Sequence, residues 1–240
     1  MASTYSTNAQ LEIITTGEKA GQWGGINNTN FQIFEQTSTG VLDVDISAAS
    51  STLVLTDGAT STGKNVYFRL YGTLAANRTI TMPVTAERVW IMKDDTVRGT
   101  SNYTVGVLTA SGTTQPIPPG ATVLCKSNGS ETVVTLLEKG YETITDANSP
   151  YTAVAGAQIL ANTTSTVITV TLPAAASTGD EITIIDARGT WGSNNLTVDR
   201  NGLKINTGTS NLTLSNNGQS ITLVYVDATR GWAYKTNYTS

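Results

Sequence analysis

Three close pairs of carboxylates stand along this chain: Asp94-Asp95, Asp180-Glu181, and Asp43 with Asp45 two residues further on. Two carboxyls facing each other across a cleft can divide general acid and general base work between them. Adjacent residues at a strand end point to opposite faces instead, so the first two pairs read as solvated turn carboxylates. Asp43 and Asp45 share a strand face and could hold calcium, but the glycine-turned loop of a calcium site is missing. The chain contains no histidine, which removes Ser-His-Asp and Cys-His nucleophile systems and the commonest metal ligand together. Its one cysteine, Cys125, sits in the strand-like run TVLCK and reads as a small buried apolar residue. Gly17, Gly21, Gly24 and Gly25 do not form the GxxxxGK[ST] loop that cradles phosphates. The expectation is a protein with no catalytic residues, no metal and no cofactor, and so not an enzyme.

The elements that would carry these residues are strands. Charged residues make up 13% of the 240, about half the usual globular share, and Thr, Ser, Asn and Gly fill the difference. Thr is β-branched and suits strands; Asn and Gly suit the turns between them. A net charge of −4 offers nothing to neutralise a phosphate backbone, so nucleic acid is not an expected partner. No apolar run approaches the roughly 18 to 20 residues that span a membrane. The start MASTYSTNAQ has neither the basic opening nor the apolar core of an export signal, which predicts assembly in a cytoplasm.

The first forty residues differ from the rest. Residues 8–16 (NAQLEIITT) alternate like a strand, and residues 17–25 (GEKAGQWGG) form a glycine-rich loop. NNTNFQIFEQ, residues 27–36, predicts one short helix, capped by Asn and Thr, with Phe31, Ile33 and Phe34 on an apolar side and Gly40 ending it. So short a helix has to dock on something. From Val41 onward short strands follow one another between Gly, Pro and Asn turns, which predicts an all-β sandwich, barrel or roll. A boundary near Asn148-Ser149-Pro150 divides residues 41–145 from 146–240.

The two halves share an order of motifs. LAANRTITMP lines up with LANTTSTVITVTLP, ERVWIMKD with DEITIIDA, NYTVGV with NLTVDR, and PPGATVLCKSNG with NNGQSITLVYVDATRG. Both copies run a strand into a proline, which suits the point where a chain leaves a sheet. The resulting expectation is two related β-sandwich or β-roll units in tandem, behind a segment 1–40 holding a strand, a glycine-rich loop and one short helix. Trp191 and Trp232 sit beside Arg-Gly turns. Exposed there, with Tyr234, they would stack on sugar rings; turned inward, each tryptophan would plug the open end of its unit, the reading that the burial habit of tryptophan favours.

Two stretches carry a resemblance. TNAQLEIITTGEKAGQWGGINNTNFQIFEQ resembles the N-terminal segment of fibre-like virion proteins of tailed bacteriophages, cyanophages and other marine phages especially, through Gly17, Glu18, Ala20, Gly21, Trp23, Gly24, Asn28, Thr29, Asn30 and Glu35. The stretch from TLPAAASTGDEITIID to RGWAY is similar to a β module of the same proteins, through its proline, Gly-Asp-Glu step, NLTVDRNG turn and closing Arg-Gly-Trp. The resemblance implies a virion structural protein: a short tail fibre or tail appendage, or alternatively a capsid decoration or head fibre. It implies partners among other virion proteins, a homotrimer, and docking through Gly21, Trp23, Asn28, Asn30, Phe31 and Phe34. Host-surface glycan contact would fall to Trp191, Trp232 and Tyr234. The chain lacks the long shaft of the larger fibres, and it lacks the clustered acids of the tailspikes that degrade polysaccharide.

Overall fold

A computed structural model of the chain describes residues 3–83, 85–99, 101–108, 113–128 and 131–238. It begins with two short antiparallel strands, β1 (Thr4–Tyr5) and β2 (Glu12–Ile13), and the helix α1 (Trp23–Thr39). The helix starts four residues before the expected Asn27. Its N-cap is Gln22, with no side-chain cap, so the anticipated Asn and Thr capping does not occur. Gly40 ends it, and no larger residue would fit: a Cβ there would lie 2.3 Å from the Gln36 carbonyl oxygen.

The remainder is β, and the chain divides into two units, the first of which includes β1, β2 and α1. The first contains β3 (Val41–Asp45), β4 (Ser51–Thr52), β5 (Tyr67–Thr73), β6 (Arg78–Thr81), β7 (Glu87–Val97), β8 (Val105–Leu108), β9 (Thr114–Ile117), β10 (Thr122–Asn128) and β11 (Thr132–Glu138). Its larger sheet runs β11-β10-β7-β5-β3 and its smaller one β4-β6-β8-β9. The chain lays one strand on each sheet in turn. β3, β5 and β7 therefore pair in parallel, as do β4, β6 and β8. Parallel neighbours need a long crossover, and here the crossover is a strand of the other sheet. The result is a β-solenoid-like winding. It closes antiparallel, β9 on β8 and β10 on β7.

The second unit is wound in the same way from β12 (Tyr141–Ile144), β13 (Tyr151–Thr152), β14 (Gln158–Ala161), β15 (Ile168–Thr171), β16 (Glu181–Asp186), β17 (Leu196–Asp199), β18 (Leu212–Leu214), β19 (Ser220–Asp227) and β20 (Gly231–Tyr238). Its sheets run β12-β14-β16-β19-β20 and β13-β15-β17-β18. The strand order matches that of the first unit strand for strand, β3 corresponding to β12 and β11 to β20. The four motif pairs read from the sequence fall on corresponding strands: β6 with β15, β7 with β16, β8 with β17 and β10 with β19. The strand Tyr141–Ile144, placed before the expected boundary, pairs with Gln158–Ala161 in this second unit. The unit also takes in residues Arg98–Tyr103 and Pro118–Ala121.

Alternation along most strands fills both interiors. Buried residues recur at every second position through β16 and through β19 as far as Val226, as a period-two strand requires. Phe68, Leu70, Trp90 and Met92 are fully buried in the first unit; Ile159, Ile184, Trp191 and Trp232 are in the second. The aspartate that ends each repeated motif has a defined place. Register sets Asp94 beside Leu70 and Asp186 beside Ala161, equivalent positions of the two sheets. Both are buried, which corrects the reading of Asp94 as a solvated turn carboxylate. Each accepts the N–H two residues on, from Thr96 (3.1 Å) and Arg188 (3.2 Å). Asp186 also accepts the N–H groups of Trp191 (3.2 Å) and Gly218 (3.0 Å). A buried carboxylate with several N–H partners organises the loop leaving its strand.

Candidate functional site

The residues singled out for docking gather at α1. Its sequence, WGGINNTNFQIFEQTST, is poor in strong helix formers and has one charge, Glu35. Two side-chain amides hold it to the first unit. The Glu12 N–H donates to Asn30 Oδ1 and Asn30 Nδ2 donates to the Glu12 carbonyl, both at 2.9 Å. Gln36 Nε2 donates to the Ser61 carbonyl (3.1 Å) and the Ser61 N–H donates to Gln36 Oε1 (3.2 Å). Each amide thus imitates a neighbouring strand. Ile33 is the one fully buried apolar side chain of the helix.

At 100° per residue, Trp23, Phe34 and Phe31 fall within an arc of about 80°. That arc faces out: the three are 62%, 64% and 72% exposed. Asn28 is exposed beside them. Gly21 and Asn30 instead help line a groove of about 350 Å³ with Glu12, Gly25, Ile26 and Thr29. Asn30 is committed to its backbone clamp, so the docking set divides into an outward aromatic group and an inward structural one. The Glu12 carboxyl at the groove is held below the usual range by hydrogen bonds from Ser3 and Lys19.

The glycan set needs correction. Trp191 and Trp232 are wholly buried and cannot stack on a ligand outside. Gly231 causes this at one end. Its φ of +73°, with the Lys204 carbonyl oxygen 2.0 Å from where a Cβ would stand, turns the chain so that Trp232 enters the core. At the other end the bond from the Trp191 N–H to Asp186 folds its loop inward. Tyr234 alone of the three reaches solvent, at 40% exposure.

The remaining candidate chemistry is committed to structure. Arg69 donates to both oxygens of Asp43 (3.0 and 2.7 Å), holding that carboxyl low and the guanidinium pKa high. Asp45 accepts the Ser47 N–H (2.9 Å). Glu181 pairs with Lys235 and with Lys139, and the Lys235 bond leads in lowering its pKa. Burial pushes the Cys125 thiol up to about 12, away from the thiolate that reactivity needs. One group escaped the sequence reading. Lys64 is fully buried, and its ammonium donates to the carbonyls of Thr56 (2.6 Å) and Ala59 (2.7 Å). No sequence signal separates it from a solvated turn lysine.

No family model matches the chain, and no curated protein matches it. Among solved structures it is similar to one described as "Structure of a chaperone-substrate complex", at 13% sequence identity and a TM-score of 0.37, over 82% of this chain. The match takes in 32% of that structure's chain, so this protein spans about a third of its length. Among the described residues no helix is long and apolar enough to cross a membrane.

Proposed function

We propose that this chain is a structural protein of a bacteriophage virion, a short tail fibre or tail-associated appendage that docks through α1 onto another virion protein. The observation that supports this reading most is the helix itself, clamped by two amides with its aromatic face turned outward. Three rings exposed to this degree present about 400 Å² of largely apolar surface, the size of patch that on a monomer is often functional. Burying it would release about 10 kcal/mol before the costs of association. The N-terminal sequence resemblance falls on this same helix and the turn before it.

The two units, with one strand order between them, are copies of a single ancestral unit and serve as spacer and display surface. Asp43, Asp45, Asp94, Asp180 and Glu181 are engaged in ion pairs and backbone bonds, which supports a non-enzymatic role. The protein assembles in the host cytoplasm and ends in the particle, as a homo-oligomer. Tyr234 is the remaining candidate for host contact. The test is particle incorporation of the variant Trp23→Ser/Phe31→Ser/Phe34→Ser, with cryo-EM of wild-type particles to locate the chain. Loss of the variant from otherwise complete particles, with tail density in the wild type, is the expected result. Normal copy number of the variant would refute docking by this face, and density on the capsid shell would reassign the protein to head decoration.

A further inference from the structure

Asparagine is followed by glycine at Asn128, Asn201 and Asn217. Gly129 lies outside the described residues; the other two steps sit in turns with different surroundings. The side-chain carbon Cγ of an asparagine is an electrophile close to the main-chain nitrogen of the next residue. Attack of that nitrogen on Cγ closes a five-membered imide ring, and glycine, without a Cβ, leaves the approach open. The step needs a base for the proton of the nucleophile and a donor for the oxyanion.

Asn217 is supplied with both. The Gly218 N–H donates to Asp186 Oδ2 at 3.0 Å, and that carboxylate belongs to a residue only 9% exposed. Asn217 Oδ1, where negative charge develops, accepts the Gly192 N–H at 2.6 Å. A Cβ on Gly192 would fall 2.9 Å from Oδ1 and 3.3 Å from Cγ of Asn217, so a glycine is what lets the donor come this near. Asp186 ends β16, Gly192 lies in the loop before β17, and Asn217 stands between β18 and β19, so folding alone assembles the three. Asn217 and Gly218 themselves are exposed to water.

Asn201 is placed differently. The nearby carboxylate, Asp199, accepts the N–H of Asn201 itself (3.0 Å) and not that of Gly202. Asn201 Nδ2, which would have to leave, is held by the Leu172 carbonyl (2.9 Å). Nor does the fold demand an asparagine at 217. In the matching turn of the first repeat the Ala121 N–H donates to the Pro118 carbonyl (3.1 Å) and Gly120 has a φ of +66°. Here the Gln219 N–H donates to the Asn216 carbonyl (3.3 Å) and Gly218 has a φ of +71°. The same turn is built with Pro119 in the place of Asn217, and a proline carries no carboxamide.

We infer that Asn217-Gly218 is a self-modification site, at which the folded second unit converts its own asparagine through a succinimide to aspartate or isoaspartate. The bond from the Gly218 nitrogen to Asn217 Cγ forms as the bond from Cγ to Nδ2 breaks. The Gly218 proton passes by way of Asp186 to Nδ2, which leaves as ammonia, and Asp186 ends as the carboxylate it began. Water then adds across one of the two imide C–N bonds. The product sets a second carboxylate close to Asp186, and its isoaspartate form lengthens the main chain of the turn by a methylene. The change is one-way, and it stands whether or not the chain belongs to a virion.

The experiment incubates the folded full chain, and the peptides LSNNGQS (214–220) and DRNGLK (199–204), at neutral pH. Peptide mapping with mass spectrometry follows aspartate and isoaspartate at each site. Asn217 should convert about tenfold or more faster in the folded chain than in its peptide, while Asn201 should convert more slowly in the chain than in its own. Asp186→Asn, with wild-type circular dichroism, should bring Asn217 down to the peptide rate or below. Folded Asn217 no faster than its peptide, an equal acceleration at Asn201, or a folded Asp186→Asn variant with the wild-type rate would overturn the inference. Should that variant fail to fold, the comparisons of chain with peptide decide alone.

Discussion

Trp232 separates a structural from a surface role most sharply. It is wholly buried, and its ring meets Tyr225 edge-on, with centroids 5.5 Å apart and planes at 65°. Its N–H donates to the Lys204 carbonyl (2.8 Å) and its own carbonyl accepts the Asn206 N–H (2.7 Å), so the backbone beneath the ring is tied down and cannot collapse readily into a void. Trp232→Ala removes the buried ring and leaves a cavity, a loss of about 3–5 kcal/mol. About 0.5–1.5 kcal/mol of that is the aromatic pair. Against a domain stability of about 5–15 kcal/mol the second unit would lose about a fifth or more of its reserve. Trp23→Ala, made at a 62% exposed ring, should stay within about 0.5 kcal/mol. Guanidinium unfolding of the full chain, followed by far-UV circular dichroism, measures both. The expected pattern is a much lower midpoint for Trp232→Ala and an unchanged one for Trp23→Ala. A wild-type midpoint for Trp232→Ala, with a lost affinity for host glycan, would refute the assignment of this residue to the core.

Two further outcomes follow from polar groups held by hydrogen bonds. Burial, and then the nearby Arg88, bring the Lys64 pKa down to about 8 from 10.5, so the folded protein holds that proton less firmly than the unfolded chain does; stability from this residue should rise as pH climbs from about 8 towards 10.5. In Lys64→Met that component of the slope should vanish from a pH series of guanidinium midpoints, and a variant with the wild-type slope would reject the assignment. Asn30→Ala and Gln36→Ala each delete two hydrogen bonds holding α1, about 2 kcal/mol apiece; the double variant should lose helical circular dichroism and become sensitive to proteolysis within residues 1–40, and an intact helix would show that the clamps are dispensable.

Strand positions and the repeated motif order were readable because alternation and Gly, Pro and Asn punctuation are local signals. The direction of pairing was not. β5 alternates in the same way whether its partner β7 runs parallel or antiparallel, so the solenoid-like winding left no mark on either strand. The early start of α1 was hidden by Gly24 and Gly25, which read as loop but sit in its first turn. Trp232 beside Arg-Gly left a surface role and a plugging role both open, with the plug favoured; the positive φ of Gly231 that sends it inward is a property of the folded turn. The aromatic side of α1 was visible as a pattern, yet only burial showed that it faces out while Ile33 faces in.

The second unit is discontinuous in the chain, and this bears on the order in which the protein is made. Arg98–Tyr103 and Pro118–Ala121 leave the ribosome before the rest of that unit begins at Glu138. Their partners come later. The carbonyls of Asn148 and Pro150 accept from Asn102 Nδ2 (3.1 and 2.6 Å), Asn148 Nδ2 donates to the Gly99 carbonyl (3.1 Å), and Gly140 packs so closely on Gly120 that a Cβ would fall 2.0 Å from its carbonyl carbon. These contacts must therefore wait until 20 to 49 further residues have been synthesised. A fragment cut to begin at Glu138 would be born without them, leaving Asn148 short of the Gly99 carbonyl and the Asn102 amide that complete its bonding.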